Sequence, residues 1–346
     1  MSVTPIRIGL LFDFPQQDGG DSFAKAVQLG LDTVTLDRPV EFVRELALGL
    51  PSGSVFDVEQ KFAALDAQGV LAIIGPSISD NGIVVRDLAD RAGIACINYT
   101  GGAITRSEWM FHYQVGSLED EPAVLAAHLA ARGIGRVAVV HDRSPVGTQY
   151  AHWFELARAT EGIEVTANAV IEPLATEATG LVERLEASKP DGLVYLGLGV
   201  AARTVALGVQ AIEWRTPVVT NSALMFGYAR PDWREAWDTW VYVDTVGDDN
   251  AVRDELKAKD RATAAGPIGL AGYDMGRLLG EAFARGDHLS RDGVRDGLER
   301  VKRLRAASGH DGTLMGFGQW DHAALKGEYL VLREWRDGKT VQYPGP

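Results

Sequence analysis

The chain has 346 residues, 46% hydrophobic and 23% charged, which is ordinary for a soluble globular protein and long enough for two domains. A formal net charge of −13 argues against a nucleic-acid backbone or an anionic membrane surface as the main partner. One cysteine, Cys96, excludes an internal disulfide.

The N-terminal run IRIGLLF (6–12) is apolar and β-prone, too short for the apolar core of a secretory signal, and leads into a turn. No apolar run reaches the ~20 residues needed to span a membrane, so no direct membrane insertion is expected. Two localisations follow as expectations: extracytoplasmic if a leader has been removed, cytoplasmic if Met1 is the native start.

A β–α alternation follows. DSFAKAVQLGLDTV (21–34) has helical spacing, with Phe23, Val27, Gly30, Leu31 and Val34 on one face. VEFVRELAL (40–48) reads as a strand, and 54–65 as a helix capped by Ser54. VLAIIG (70–75) reads as a buried strand, 80–93 as a helix closed by Gly93, and IACIN (94–98) as another buried strand with Cys96 as a small hydrophobe. The pattern then restarts. Helices are expected at 122–133, 147–162, 179–188 and 201–212, and strands at 136–142, 164–170, 192–197 and 216–220. Continuous apolar strands alternating with helices predict parallel sheets covered on both faces, wound by right-handed crossovers. Helices are expected at 249–265, 268–286 and 290–302, followed by a terminal hairpin at DGKTVQY.

The fold class is therefore α/β, with two Rossmann-like doubly wound lobes joined by a three-crossover hinge. Lobe 1 is expected to comprise 1–116 plus 248–325, and lobe 2 to comprise 117–247 plus 326–346, with a ligand cleft between them.

In an open parallel sheet, ligands bind beyond the carboxyl ends of the strands. In the first lobe those ends carry Phe12, Asp13 and Phe14, then Ser77 and Ser79, then Tyr99, Thr100, Gly101 and Gly102. In the second they carry Ser144, Pro145 and Val146, then Leu198 and Gly199, then Asn221, Ser222, Met225 and Phe226. Hydroxyls, free amides and aromatic faces converge there, and glycines allow close approach to the backbone.

These segments carry a resemblance over nearly the whole chain. "VLAIIGPSISDNGIVVRDLADRAGIACINY", "FHYQVGSLEDEPAVLAAHL" and "RVAVVHDRSPVGTQYAHWF", with "LAGYDMGRLLGEAF" and "GEYLVLREWRDGKTV", resemble the type I periplasmic-binding-protein family. The matching branch is that of leucine/isoleucine/valine-binding and amide-binding proteins. The resemblance implies a receptor that closes on a small ligand, is not an enzyme, and serves an ABC-type permease or a regulatory protein. It places ligand contacts at Ser79, with Ser77 beside it, at Thr100 and Gly102 beside Tyr99, and at Phe23. In the second lobe Val146 and the Gly199 region stand where the family often has aromatics. Asn221 and Ser222 stand where amino-acid binders place an acid for the ammonium, and an unpaired buried ammonium is costly. With Phe14, Tyr99, Val146, Leu198, Met225 and Phe226 as lining, the expected ligand is an apolar or aromatic carboxylate or amide. The alternatives are a cytoplasmic ligand-sensing regulator of the amide-binding type and a branched-chain amino-acid receptor.

Rival chemistry is weak. GLGVAA (197–202) matches G-x-G-x-x-A, but the next strand ends VVTNSA without the acid a dinucleotide ribose needs. His141-Asp142 is a lone pair, the other histidines lack metal-ligand spacing, and neither a G-x-S-x-G elbow nor a P-loop occurs. No catalytic residue, cofactor or metal is expected. Glu119-Asp120-Glu121 reads as a helix start favoured by the dipole, the tryptophans of 231–240 as packing residues, and Tyr273-Asp274 as a structural pair near the hinge.

Overall fold

The computed structural model describes residues 4–14 and 18–343. The chain divides into two compact units and passes between them three times: residues up to Val115 join Val246–Tyr329, and Gly116–Thr245 joins the residues from Leu330 onward.

The first unit opens with β1 (Ile6–Phe12), α1 (Asp21–Leu31), β2 (Val40–Leu46), α2 (Val55–Ala67), β3 (Ala72–Ile74), α3 (Ser79–Ala92), β4 (Ala95–Asn98) and β5 (Met110–His112). These strands form a parallel sheet in the order β2-β1-β3-β4-β5. Ile8 and Leu10 of β1 and all of β3 are buried, as expected for strands covered on both faces. Ser54 caps α2 by accepting from the Asp57 amide, and Gly93 closes α3 in a left-handed conformation at φ 59°.

The second unit runs α4 (Glu121–Ala131), β6 (Arg136–Asp142), α5 (Pro145–Glu161), β7 (Glu164–Ile171), α6 (Thr179–Glu186), β8 (Gly192–Leu196), α7 (Ala202–Ala211), β9 (Val218–Thr220), the short α8 (Phe226–Ala229) and β10 (Val241–Asp244). Alternate residues of β6 and β8 feed two separate cores. Ala138, Val140, Leu193 and Tyr195 pack in one, and Val137, Val139, Val194 and Leu196 in the other. Trp237 and Trp240 lie in the first of these cores, so the tryptophan-rich segment is packing.

The chain returns to the first unit with α9 (Ala251–Lys259), α10 (Pro267–Arg285), α11 (Arg291–Arg300) and a small antiparallel sheet of β11 (Leu304–Arg305), β12 (Leu314–Met315) and β13 (Leu325–Lys326). β13 pairs with β12, which keeps this segment with the first unit beyond residue 325. Finally β14 (Val331–Arg336) and β15 (Lys339–Gln342) join the second sheet, in the order β15-β14-β10-β9-β8-β6-β7.

Three differences from the sequence reading have physical causes. The second sheet is mixed, because β14 runs antiparallel to β10 and β15 to β14. Asp337 and Gly338 both have positive φ, as a tight two-residue hairpin turn requires. The helix expected over 249–265 stops at Lys259, because the Asp260 carboxylate accepts the Thr263 amide and starts a separate turn. β5 and β10, of 3 and 4 residues, are too short to show periodicity.

Helices α1 and α10 approach backbone to backbone. A Cβ on Gly30 would lie 2.0 Å from the Tyr273 carbonyl oxygen, and one on Gly276 2.1 Å from that of Val27. Gly276→Ala should therefore lower stability by about 1–3 kcal/mol or more, read as a reduced urea midpoint. Gly180→Ala, with only the Arg184 side chain 3.9 Å away, should leave stability unchanged or raise it.

Candidate functional site

In both units the first strand ends in a buried aspartate. Asp13 follows β1 and is 4% exposed, and Asp142 ends β6 and is fully buried. Asp13 accepts from the Ser77 amide (2.9 Å), the Ser77 hydroxyl (2.6 Å), the Ile78 amide (2.9 Å) and Asn81 Nδ2 (2.9 Å). It thereby ties the end of β1 to the loop opening α3, where the strand order reverses between β1 and β3. Asp142 accepts from the Ser144 hydroxyl (2.5 Å) and the Leu198 amide (2.6 Å), at the corresponding reversal between β6 and β8. Burial pushes both carboxyls up, and the hydrogen bonds pull in the other direction.

The glycines after β3 and β8 follow from this arrangement. Gly75 has φ 120°, and a Cβ there would lie 2.1 Å from the Leu11 carbonyl oxygen. Gly197 has φ 155°, and a Cβ there would lie 2.1 Å from Asp142 Oδ2. The second glycine of G-x-G-x-x-A, Gly199, whose bare face would admit a pyrophosphate, instead lies against the Ala223 backbone, where a Cβ would be 2.4 Å from the carbonyl oxygen, which removes the dinucleotide reading.

The first unit brings several expected residues together. Phe23 stacks on Tyr99 at 5.0 Å and meets Phe12 edge-on at 5.8 Å. Both Phe23 and Tyr99 are buried, whereas Phe14 and Ser77 are half-buried. The Ser77 hydroxyl is committed to Asp13. Thr100 is buried, and its hydroxyl donates to Asn98 Oδ1 at 2.8 Å and lies 3.4 Å from the Gly102 amide. Its carbonyl accepts from His112 Nε2 at 2.8 Å, while His112 Nδ1 accepts from Arg106 Nε at 3.1 Å. Burial and the Arg106 charge push His112 down to about 3, so it stays neutral in the tautomer this bonding requires. Ser79 opens α3 and is 6% exposed, and its hydroxyl makes no hydrogen bond among the described residues.

In the second unit Asn221 is buried and pinned to Gly197, accepting its amide at 3.1 Å and donating to its carbonyl at 2.9 Å. A carboxylate there could not donate, and the Gly197 carbonyl would lose its partner. Gly199 lies close against the backbone of Ala223. Met225, Phe226 and Leu198 are half-buried. Val146, 5% exposed, packs into a core with Tyr150 and Leu196.

The sequence reading missed Glu121. It is fully buried at the start of α4, where it accepts from the Ser117 amide (2.6 Å), the Tyr150 hydroxyl (2.8 Å), the Ser222 amide (2.5 Å) and the Ser222 hydroxyl (3.1 Å). The signal available in the sequence was a Gly-Ser pair, Gly116-Ser117, four residues before an acid; the structure gives Gly116 a left-handed φ of 98°. Tyr273-Asp274 also gains a definite role. Asp274 is buried, accepts from Tyr113 and the Ala307 amide at 2.8 Å, and pairs with Arg277 at 3.1 Å.

Among the described residues, no group of three or more His, Cys, Asp or Glu is placed to hold a metal ion, and no helix is long and apolar enough to cross a membrane. Cys96 is buried, and desolvation pushes its thiol up.

Comparison with known proteins now bears on identity. A family model described as periplasmic binding protein matches residues 5–331, so the chain belongs to that family. No curated protein matches it. Among solved structures, a periplasmic binding protein type 1 from Bordetella pertussis Tohama I superposes with TM-score 0.82 at 16% identity, covering 99% of this chain and 100% of that one. A leucine-binding protein from Thermotoga maritima gives 0.83 at 14% identity, covering 98% of each chain. An ABC transporter substrate-binding protein from Desulfitobacterium hafniense, solved in complex with Leu, gives 0.79 at 17% identity, covering 98% of this chain and 100% of that one. The fold and family are those of ligand-binding proteins.

Burial pushes Glu121 up to about 7 from its ordinary 4.5, so between those values the folded form holds more protons than the unfolded chain. The stability Glu121 contributes is full below about pH 4.5 and is lost as pH rises through about 7. Relative to Glu121→Gln, the wild-type chain should lose up to about 3 kcal/mol between pH 4.5 and pH 8 in urea denaturation. A difference that stays flat with pH would mean that Glu121 is ionised throughout.

Proposed function

We propose that this chain is a solute receptor that closes on a small organic ligand and delivers it to an ABC-type importer outside the cytoplasm. The ligand is an apolar or aromatic carboxylate or amide. Its polar end meets Ser79 and the amides of the Thr100–Gly102 loop, and its apolar body meets Phe14 and Tyr99. The carrying observation is the Ser79 hydroxyl at the head of α3, which makes no hydrogen bond among the described residues and is left available in a residue otherwise 6% exposed. A hydroxyl uncommitted within the protein can donate to a ligand carboxylate or carbonyl. Helix-start amides around it favour an oxygen anion.

The choice of ligand class rests on position 221. Asn221 spends both ends of its amide on Gly197, and the carboxylates of Asp13, Asp142 and Glu121 are each engaged by several donors. This bonding favours a ligand without an ammonium group. The leucine-binding neighbours make a branched-chain amino acid the principal competitor.

The test is a thermal-shift screen followed by calorimetry with L-leucine, acetamide, benzoate and cyclohexanecarboxylate. A bound acid or amide at 100 times its Kd should stabilise the fold by about 2.7 kcal/mol. Ser79→Ala should weaken that binding about tenfold. Binding of leucine alone, unaffected by Ser79→Ala, would replace this reading with an amino-acid receptor.

A further inference from the structure

We propose that the first unit carries a second small-molecule site, for an anion bearing carboxylate or phosphate groups, in the groove lined by Lys259, Tyr273, Arg277, Arg303 and Arg305. The groove is open to solvent, with a volume of about 440 Å³, and also meets Thr33, Glu255 and Glu281; Glu255, Lys259, Arg303 and Arg305 are exposed. That volume is within the roughly 300–1,000 Å³ usual for ligand pockets. It lies away from the strand ends described above. Phe23 near the start of α1 packs on Phe12 and Tyr99, whereas Thr33 follows the other end of this 11-residue helix. At 1.5 Å per residue the two places are about 15 Å apart.

The charge pattern sets the ligand class. In a chain of net charge −13, this groove has four cationic side chains against two acids. Arg277 is fixed in place: it pairs with buried Asp274 at 3.1 Å, donates to the Arg305 carbonyl at 2.6 Å and lies over the Tyr273 ring at 5.5 Å. Arg305 pairs with Asp311, and Glu281 with Arg285. Lys259 and Arg303 have no ion pair among the described residues. Two uncommitted cations therefore face the one uncommitted acid, Glu255. An anion that also carries a hydroxyl satisfies all three, since Glu255 can accept that hydroxyl.

The backbone supplies an independent observation. Arg303 has φ 57°, a left-handed conformation that costs a non-glycine residue roughly 1–2 kcal/mol. Such strain persists where neighbouring structure imposes it, and it clusters at ligand clamps. Residue 303 sits between α11 and β11, and a glycine would hold this geometry at lower cost. Arginine stands there instead, its charge unpaired.

The experiment is calorimetry on the full chain with citrate and with glycerol 3-phosphate, in low and high salt. Saturable binding of either probe is expected, weakening as salt rises. Citrate binding alone would specify a carboxylate ligand, and glycerol 3-phosphate binding alone a phosphate. Lys259→Ala and Arg303→Gly should each weaken binding at least tenfold, while Ser79→Ala leaves it unchanged. Arg303→Gly should also raise the thermal midpoint by relieving the left-handed strain, so loss of binding there is separable from loss of fold. The proposal is overturned if neither probe saturates, if both groove variants bind as the wild type does, or if binding follows Ser79.

Discussion

A carboxylate buried at the end of the first strand organises each unit. Asp13 and Asp142 sit where the strand order reverses, and each accepts hydrogen bonds from a serine hydroxyl and from an amide in the loop after the third strand of its unit. An isolated buried carboxylate would cost several kcal/mol. With several donors satisfied, it becomes the fixed point from which neighbouring loops take their shape. The flanking glycines are consequences of it. Gly147 and Gly197 each face the Asp142 carboxylate so closely that a Cβ would overlap it. The same device in both units gives the loops at both sets of strand ends their rigidity.

Glu121 extends the device to a second loop. It joins Ser117, just past a crossing between units, to Ser222, just past β9, through three hydrogen bonds, and a fourth comes from the Tyr150 hydroxyl. Tyr113 and Asp274 do comparable work on the other side of that crossing, within the first unit. The residues next to the crossing are therefore held by buried hydrogen bonds to carboxyl groups.

Most of the fold was legible in the sequence, because buried parallel strands are continuous apolar runs and amphipathic helices show their period. β1 and β6 have the expected bounds. What escaped was short or contextual. β5 and β10 owe their strand state to neighbours rather than to local pattern, and β14 turns antiparallel because the chain enters the sheet from outside. At the candidate site, residue types were legible and their bonding was not. Ser77 and Ser79 look alike in GPSIS, yet one hydroxyl is spent on Asp13 and the other has no partner among the described residues. Only the position of the Asp13 carboxylate separates them. Glu121 was hidden for the same reason: an acid at a helix start is ordinarily solvated, and nothing local marks one that tertiary packing has buried.

Asn221 illustrates how a single residue links architecture to recognition. Its amide both accepts and donates to Gly197, the glycine that faces Asp142. An aspartate there would leave the Gly197 carbonyl without a donor and place a second carboxylate near the first. Like charges at that separation raise one pKa, so a fully ionised pair would be resisted. An acid at 221 would therefore require a compensating change at Asp142 or a ligand cation to offset it. Keeping the asparagine secures the strand-end geometry without a ligand, at the cost of any ammonium clamp from that position. The network that stiffens the second unit thus also narrows the chemistry this edge can recognise.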